Sequence, residues 1–504
     1  MLGFIAQAFT SPELDFHALA PEIVLVAVIS IMLLVDVVQL DRARTVISSL
    51  AGLGLLGAVV PLLTLMASDD DVRTMFGGAY VVDSTSLLLK ALFLVSGYVI
   101  VLLSTNYVAD GDYWESEYYH LLICSILGMT VMASARDLIS IFVALELLSI
   151  PAYMLAGWRK RDPKSNEAGM KYYLMGVFAS AVLLYGMSLL YGWSGTTLLS
   201  GIGEAIAEKN SPAVVLGVVF VIIGFGFKVS AVPFHSWAPD TYEGAPTPVT
   251  AFLAVASKAA GFVALIQIVA NALSPTSGDL WKVTTPVFFV LSALSMTVGN
   301  LIALRQTNVV RMLAYSGIAQ AGFMLAPFAM LRREAVADEI VPSVVTYLVI
   351  YAAMNLGAFA VVIAAARKTR SAEITSFGGM FGWAPGLTVA MTVFLASLVG
   401  IPPLGGWYAK FSIAKVLIGS GSKWGIALAV VVAINTAIAA YYYLNVAKTM
   451  WFDEAPDGDT TPVKVVPSVA TALVITVAAT VLFGVLPGII SDAAQHIPAV
   501  AVGI

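Results

Sequence analysis

The runs 22–38, 92–103, 181–193 and 214–227 are nearly free of charged side chains and approach or reach the length of a membrane span. In hydrocarbon each such segment must satisfy its own backbone hydrogen bonds, which leaves helices or closed barrels. The strict two-residue alternation of an outer-membrane strand is absent, so helices are expected. With 504 residues, 11% of them charged, and a mean hydropathy of +0.91, the chain reads as an all-α polytopic membrane protein.

Against that background a few ionisable residues stand out. Lys228, Lys258 and Lys410 lie within apolar stretches, and Glu146 is the only carboxylate deep in its span. A charged side chain at the bilayer centre costs roughly 2.5 to 3.5 kcal/mol on insertion scales, so such residues mark pairing, water or ion movement. Lysine suits proton transfer because burial can bring an ammonium to titrate near neutral pH, whereas arginine stays charged. A carboxylate about 8 Å from an ammonium, at an effective dielectric near 20, attracts it by about 2 kcal/mol. Glu146 could act on Lys228 in this way.

Polar and proline-bearing loops divide the hydrophobic profile into about 14 helices. The expected spans are 21–40, 45–67, 83–105, 118–134, 138–158, 167–193, 212–232, 246–273, 281–303, 309–331, 341–366, 384–418, 424–450 and 465–487. Proline removes a backbone donor and clashes with the preceding turn, so Pro233 breaks span seven near Lys228. Span twelve carries Pro402, Pro403, Gly405 and Gly406 just before Lys410. Both interruptions place proline four residues before tryptophan, Pro233 to Trp237 and Pro403 to Trp407. Five spans separate them, so they cross in opposite directions, a pattern of inverted repeats around a transport site. Tyr173-Leu174 and Tyr347-Leu348 share that offset. The expected organisation is an N-terminal three-helix segment over 1–117, repeats of five helices over 118–273 and 281–450, and an acidic loop with a C-terminal helix over 451–504. Short-loop lysines and arginines favour odd-numbered loops thirteen to seven, which places both termini on the non-cytoplasmic side. Met1–Thr10 has no basic residue ahead of its apolar stretch, so no cleaved signal peptide is expected.

Other ionisable groups have plainer readings. Lys171, four residues after Glu167, fits a helix-end pair with snorkelling. Lys90 and Lys415 read as snorkelling lysines, and Glu22 after Pro21 as an ordinary helix start. His235 suits a helix break or a relay equally, and Tyr441, Tyr442 and Tyr443 read as packing or interfacial aromatics. The single Cys124 excludes an iron–sulfur cluster on this chain's own thiolates, and the four histidines have no ligand spacing, so no metal site is expected. No Gly-rich phosphate loop is present, and no basic tract suits nucleic acid.

The run Phe227-Lys228-Val229-Ser230-Ala231-Val232-Pro233-Phe234-His235-Ser236-Trp237-Ala238-Pro239-Asp240 resembles the seventh-helix signature of the antiporter-like subunits of respiratory complex I. Gly400 to Phe411 is similar to that family's interrupted helix twelve, Glu146 with Pro151 to its helix-five glutamate, and Ser257-Lys258 to its helix-eight lysine. Pro21-Glu22-Ile23-Val24, lysine at 258 and 410, and no long C-terminal lateral helix resemble the subunit N group, counterpart of mitochondrial subunit 2. The resemblance implies 14 helices with two inverted five-helix repeats, and proton translocation driven by NADH-to-quinone electron transfer on partner subunits. It implies that NADH, FMN, iron–sulfur clusters and quinone bind those partners, and that this chain sits in the cell membrane beside homologous antiporter-like subunits. By the same resemblance Glu146 and Lys228 form the coupling pair, Lys258 the central relay, Lys410 the exit-side donor, and Lys171 matches the helix-six lysine. Subunits of multisubunit sodium/proton antiporters, of membrane-bound hydrogenases and of formate hydrogenlyases share these motifs, and a purely structural scaffold is a further alternative.

Overall fold

A computed structural model describes residues 14–38, 43–68, 72–111, 115–208, 211–273 and 280–495. Met1–Thr10, Arg42, Lys209 and His496 lie outside the described residues. In chain order the helices are α1 (Ala20–Val38), α2 (Ala43–Met66), α3 (Ser84–Ala109), α4 (Glu115–Ser134), α5 (Leu138–Ala156), α6 (Pro163–Ser194), α7 (Leu199–Glu208), α8 (Pro212–Lys228), α9 (Trp237–Gly244), α10 (Thr247–Phe252) and α11 (Lys258–Ala272). The second half holds α12 (Trp281–Ala303), α13 (Val309–Leu325), α14 (Ala337–Thr369), α15 (Met380–Trp383), α16 (Pro385–Val399), α17 (Gly405–Gly419), α18 (Lys423–Phe452), α19 (Pro467–Val485) and α20 (Gly488–Gln495). A small antiparallel hairpin, β1 (Arg73–Met75) and β2 (Tyr80–Val82), joins α2 to α3.

Helix lies in each of the fourteen expected windows. Among the described residues, eleven helices are long and apolar enough to cross a membrane, and the shorter apolar helices Pro212–Lys228 and Pro385–Val399 are the leading halves of the two interrupted spans. Local chemistry sets many of the starts. Asp83 caps α3 by accepting from the Ser86 amide in a reciprocal capping box, and Asp137, Asp162 and Asn308 cap α5, α6 and α13 through their side chains.

Both interruptions fall where the prolines predict. The first span stops at Lys228 and resumes at Trp237; the second stops at Gly400 and resumes at Gly405. A cis peptide precedes Pro233 in the first and Pro403 in the second. Gly400 takes φ +96°, a conformation open to glycine and strained for other residues. The window 246–273 is also irregular: a π-helical turn, Leu253–Ser257, separates α10 from α11 and ends at Lys258. Such turns insert an extra residue into the helix and recur at functional sites. The α10–α11 segment is wholly buried and α14 nearly so, so they form the centre of the bundle. Helices α1, α18 and α19 keep much of their surface exposed, as lipid-facing helices do.

Candidate functional site

The interruption at Lys228 leaves its side chain 4% exposed between α5 and α6. Its Nζ donates to Ser149 Oγ at 2.8 Å and Tyr172 OH at 3.3 Å, and stands 5.7 Å from the Tyr172 ring centre. The direct partner on α5 is thus Ser149 and not Glu146. Glu146, one turn earlier, accepts a 2.6 Å hydrogen bond from Ser180 Oγ and is close enough for its charge to act on Lys228. The two interact through charge, each hydrogen-bonded to its own serine, without the contact of a salt bridge.

Tyr172 carries the polar path onward. Its hydroxyl lies near Ser257, the last residue of the π-helical turn and the neighbour of Lys258. Lys258, 2% exposed, donates to the Gly317 carbonyl at 2.7 Å. Tyr351 OH crowds the same glycine: a Cβ at Gly317 would lie 2.9 Å from Lys258 Nζ and 3.1 Å from Tyr351 OH. Asn355 donates to that hydroxyl at 3.0 Å. Beside Gly317, Ser316 shares a short hydrogen bond with Tyr443 OH, and Gln320 Nε2 donates to Tyr443 OH at 3.4 Å and to the Leu398 carbonyl at 3.3 Å. Tyr347 OH donates a short bond to Gln320 Oε1.

The row ends at the second interruption. Lys410 Nζ donates to the carbonyls of Leu398 at 3.0 Å and Val399 at 2.8 Å, groups that the broken helix leaves without an amide partner. Gln320 and Lys410 therefore share the Leu398 oxygen. At the first break the Phe227 carbonyl accepts from the Ser230 amide at 3.0 Å and from Trp237 Nε1 at 3.2 Å, while Lys228 faces Ser149 and Tyr172. Hydroxyl, amide and carbonyl groups thus lie between Lys228, Lys258 and Lys410, while Glu146 is hydrogen-bonded to Ser180 and acts on Lys228 through its charge. Ser149, Tyr172, Ser316, Gln320, Tyr351 and Tyr443 are additions that sequence reasoning missed. Tyr443 had read as a packing residue, and a serine, glutamine or tyrosine inside an apolar helix carries no local signal of its partners.

Lys171 lies outside that row. It is 42% exposed and pairs with Glu167 at 2.6 Å, as its spacing predicts, and with Asp240 at 2.7 Å. Arg311 Nη1 bridges Asp240 at 2.9 Å and Glu243 at 2.8 Å, and Lys164 reaches Glu243 at 3.2 Å. Asp240 thus accepts from two cations, Lys171 and Arg311, on two different helices. His235 is partly buried beside the break, and its Nδ1 has no hydrogen-bond partner.

Two further expectations need correction. Lys90 does not snorkel: its side chain is 0% exposed and its Nζ lies 3.0 Å from Glu22 Oε1 and 3.0 Å from Tyr80 OH. Glu22 is likewise more than a favourable helix start, being 7% exposed and the partner of that lysine. The hairpin folds Tyr80 over α3 and closes the pair from water. Lys415, by contrast, is 59% exposed and paired with Glu339 at 2.6 Å, consistent with a surface lysine.

Residues 135–436 match the family described as the membrane subunits of NADH:quinone oxidoreductase and Mrp antiporters. The chain belongs to this NADH:quinone oxidoreductase/Mrp antiporter family. Among curated relatives, NADH-quinone oxidoreductase subunit N of Heliobacterium modesticaldum is 40% identical over 88% of this chain and 90% of its own length. Subunit N of Moorella thermoacetica is 38% identical over 96% of this chain and 98% of its own. Among solved structures, a chain of respiratory complex I from Thermus thermophilus superposes with a TM-score of 0.77 at 30% identity, over 94% of this chain and 98% of that one. A chain of the Mrp complex from Dietzia has a TM-score of 0.82 at 20% identity, covering 97% of each chain, which establishes a common fold. Both of these curated relatives are subunits N, and the chain is part of a multisubunit membrane oxidoreductase complex.

Proposed function

We propose that this chain translocates protons as the subunit N of an NADH:quinone oxidoreductase, through a buried row running Lys228, Lys258, Lys410, with Glu146 setting the charge at its head. One observation carries the reading: the three lysines are buried in the bundle, and hydroxyl, amide and carbonyl groups, some hydrogen-bonded and some adjacent along the chain, lie between them. A lysine without a carboxylate in direct contact can give up its proton without leaving a buried anion unpaired. Lys228 and Lys258 donate to hydroxyls and a backbone carbonyl, which suits transient loading better than a locked ion pair. Moving charge at Glu146 biases Lys228, and Lys410 releases the proton at the far interruption.

In this reading the chain holds no redox centre. NADH, FMN, iron–sulfur clusters and quinone bind partner subunits, whose electron transfer drives the row. The chain sits in the cell membrane with its odd-numbered loops in the cytoplasm and both termini outside, and the segments 118–273 and 281–450 act as inverted repeats around the row. Mild-detergent extraction followed by a native gel stained for NADH dehydrogenase activity tests the assignment. Co-migration of this chain with a large active band is expected. A small inactive band, reproduced under gentle extraction, would favour a sodium/proton antiporter assembly of the same fold.

A further inference from the structure

The eight-residue helix α9 follows the first interruption and lies along α6 in a register set at four points. Trp237 stacks on Tyr172 with ring centres 4.5 Å apart, Asp240 meets Lys171 at 2.7 Å, and Thr241 Oγ1 donates to the Ala168 carbonyl at 3.5 Å. At the fourth, Gly244 lies so close to the Lys164 carbonyl that a Cβ would collide with it. On its other side α9 is held by Arg311 of α13 through Asp240 and Glu243. Arg311 precedes Ser316 and Gly317 by about a turn and a half of the same helix, and Gly317 receives Lys258. Asp240 thus joins the helix bearing Tyr172, the partner of Lys228, to the helix bearing Gly317, the partner of Lys258. Half-exposed ion pairs add little to stability, so their concentration at this one aspartate calls for a different role.

We propose that Lys171 and Arg311, acting through Asp240, form a latch that fixes α9 and so sets the spacing of the Lys228–Tyr172–Ser257–Lys258 step. Lys171 is then a positioning residue and not a carrier of the translocated proton. This rests on the proposed proton row and adds what controls its first step. A latch needs only a cation that reaches Asp240, which arginine supplies as well as lysine. A proton carrier needs lysine, because arginine does not release its proton.

The test uses the assembled complex in membrane vesicles, with proton translocation expressed per complex quantified on a native gel. Lys171→Arg is expected to keep most of the wild-type rate, whereas Lys171→Met and Asp240→Asn each lose about three- to tenfold, the scale of coupling through a contiguous network. The Lys171→Met/Asp240→Asn double variant should be no worse than either alone, since both open one latch. A Lys171→Arg variant as defective as Lys171→Met would overturn the proposal, as would full activity in Asp240→Asn. If Asp240→Asn does not assemble, the contrast between arginine and methionine at 171 still decides. Lys228→Met measured alongside separates the two readings: normal pumping there removes the proton row itself, while loss there with a failed Lys171→Arg removes the latch alone.

Discussion

Replacing Lys258 by methionine should lower proton translocation by on the order of a hundredfold, the lower range of what one positioned proton-transfer group contributes, while the complex still assembles. The separation of the two effects follows from its surroundings. Among the described residues Lys258 has no carboxylate in contact; its Nζ bond runs to the Gly317 carbonyl, and its charge is not half of a buried ion pair. Methionine of similar length removes that one hydrogen bond while the Gly317 carbonyl stays in the α13 backbone ladder, a loss small beside an orphaned charge. The proton path, however, loses its middle member, since Ser257 and Tyr172 lie on one side of Lys258 and Gly317 and Tyr351 on the other. Acidification measured in vesicles, normalised to assembled complex, reads the effect. Translocation within a few-fold of wild type would mean that protons bypass Lys258.

Lys90→Met should behave in the opposite way, with assembly failing before chemistry does. Glu22 and Lys90 form a buried pair on α1 and α3, and Tyr80 from the hairpin completes the lysine's shell. Removing one partner from such a pair costs about 3 to 5 kcal/mol, because the other charge is left buried and alone. The expected result is a marked drop in the amount of chain recovered in the membrane and in the thermal stability of the extracted complex. Glu22→Gln combined with Lys90→Met should recover part of the loss, since no unpaired charge then remains. Equal accumulation of wild type and Lys90→Met would show that the pair contributes nothing to holding α1 to α3.

The contrast between these lysines shows what the amino-acid sequence makes legible. The breaks after Lys228 and before Lys410 could be read from Pro233, Pro402 and Pro403 because proline acts on its own helix, within a turn. Depth could be read for Lys258 because no polar residue flanks it for a turn apart from Ser257. Lys90 is only seven residues into α3, where a long side chain ordinarily reaches water, and nothing in its own helix announces that Glu22 and Tyr80 close over it. The same limit hid the partners within the row. Gln320, Tyr351 and Tyr443 come from three helices, and each residue type is common in helix packing. Their convergence on the gap between Lys258 and Lys410 is a property of the bundle. An estimate from two charges could pair Glu146 with Lys228, but it could not supply the Ser180 and Ser149 hydroxyls to which each is bonded.

Of the charged groups in the bundle, Lys228 is the one on which relay and scaffold part most sharply. It stands at the break, donates to the Ser149 and Tyr172 hydroxyls, and is the point where Glu146 acts on the row. The deciding measurement is the rate of proton translocation per assembled complex in vesicles carrying Lys228→Met. The proposed row predicts complexes in near-normal amount that no longer translocate protons. Complexes reduced in amount but translocating normally, each at the wild-type rate, would contradict it and leave Lys228 a structural residue.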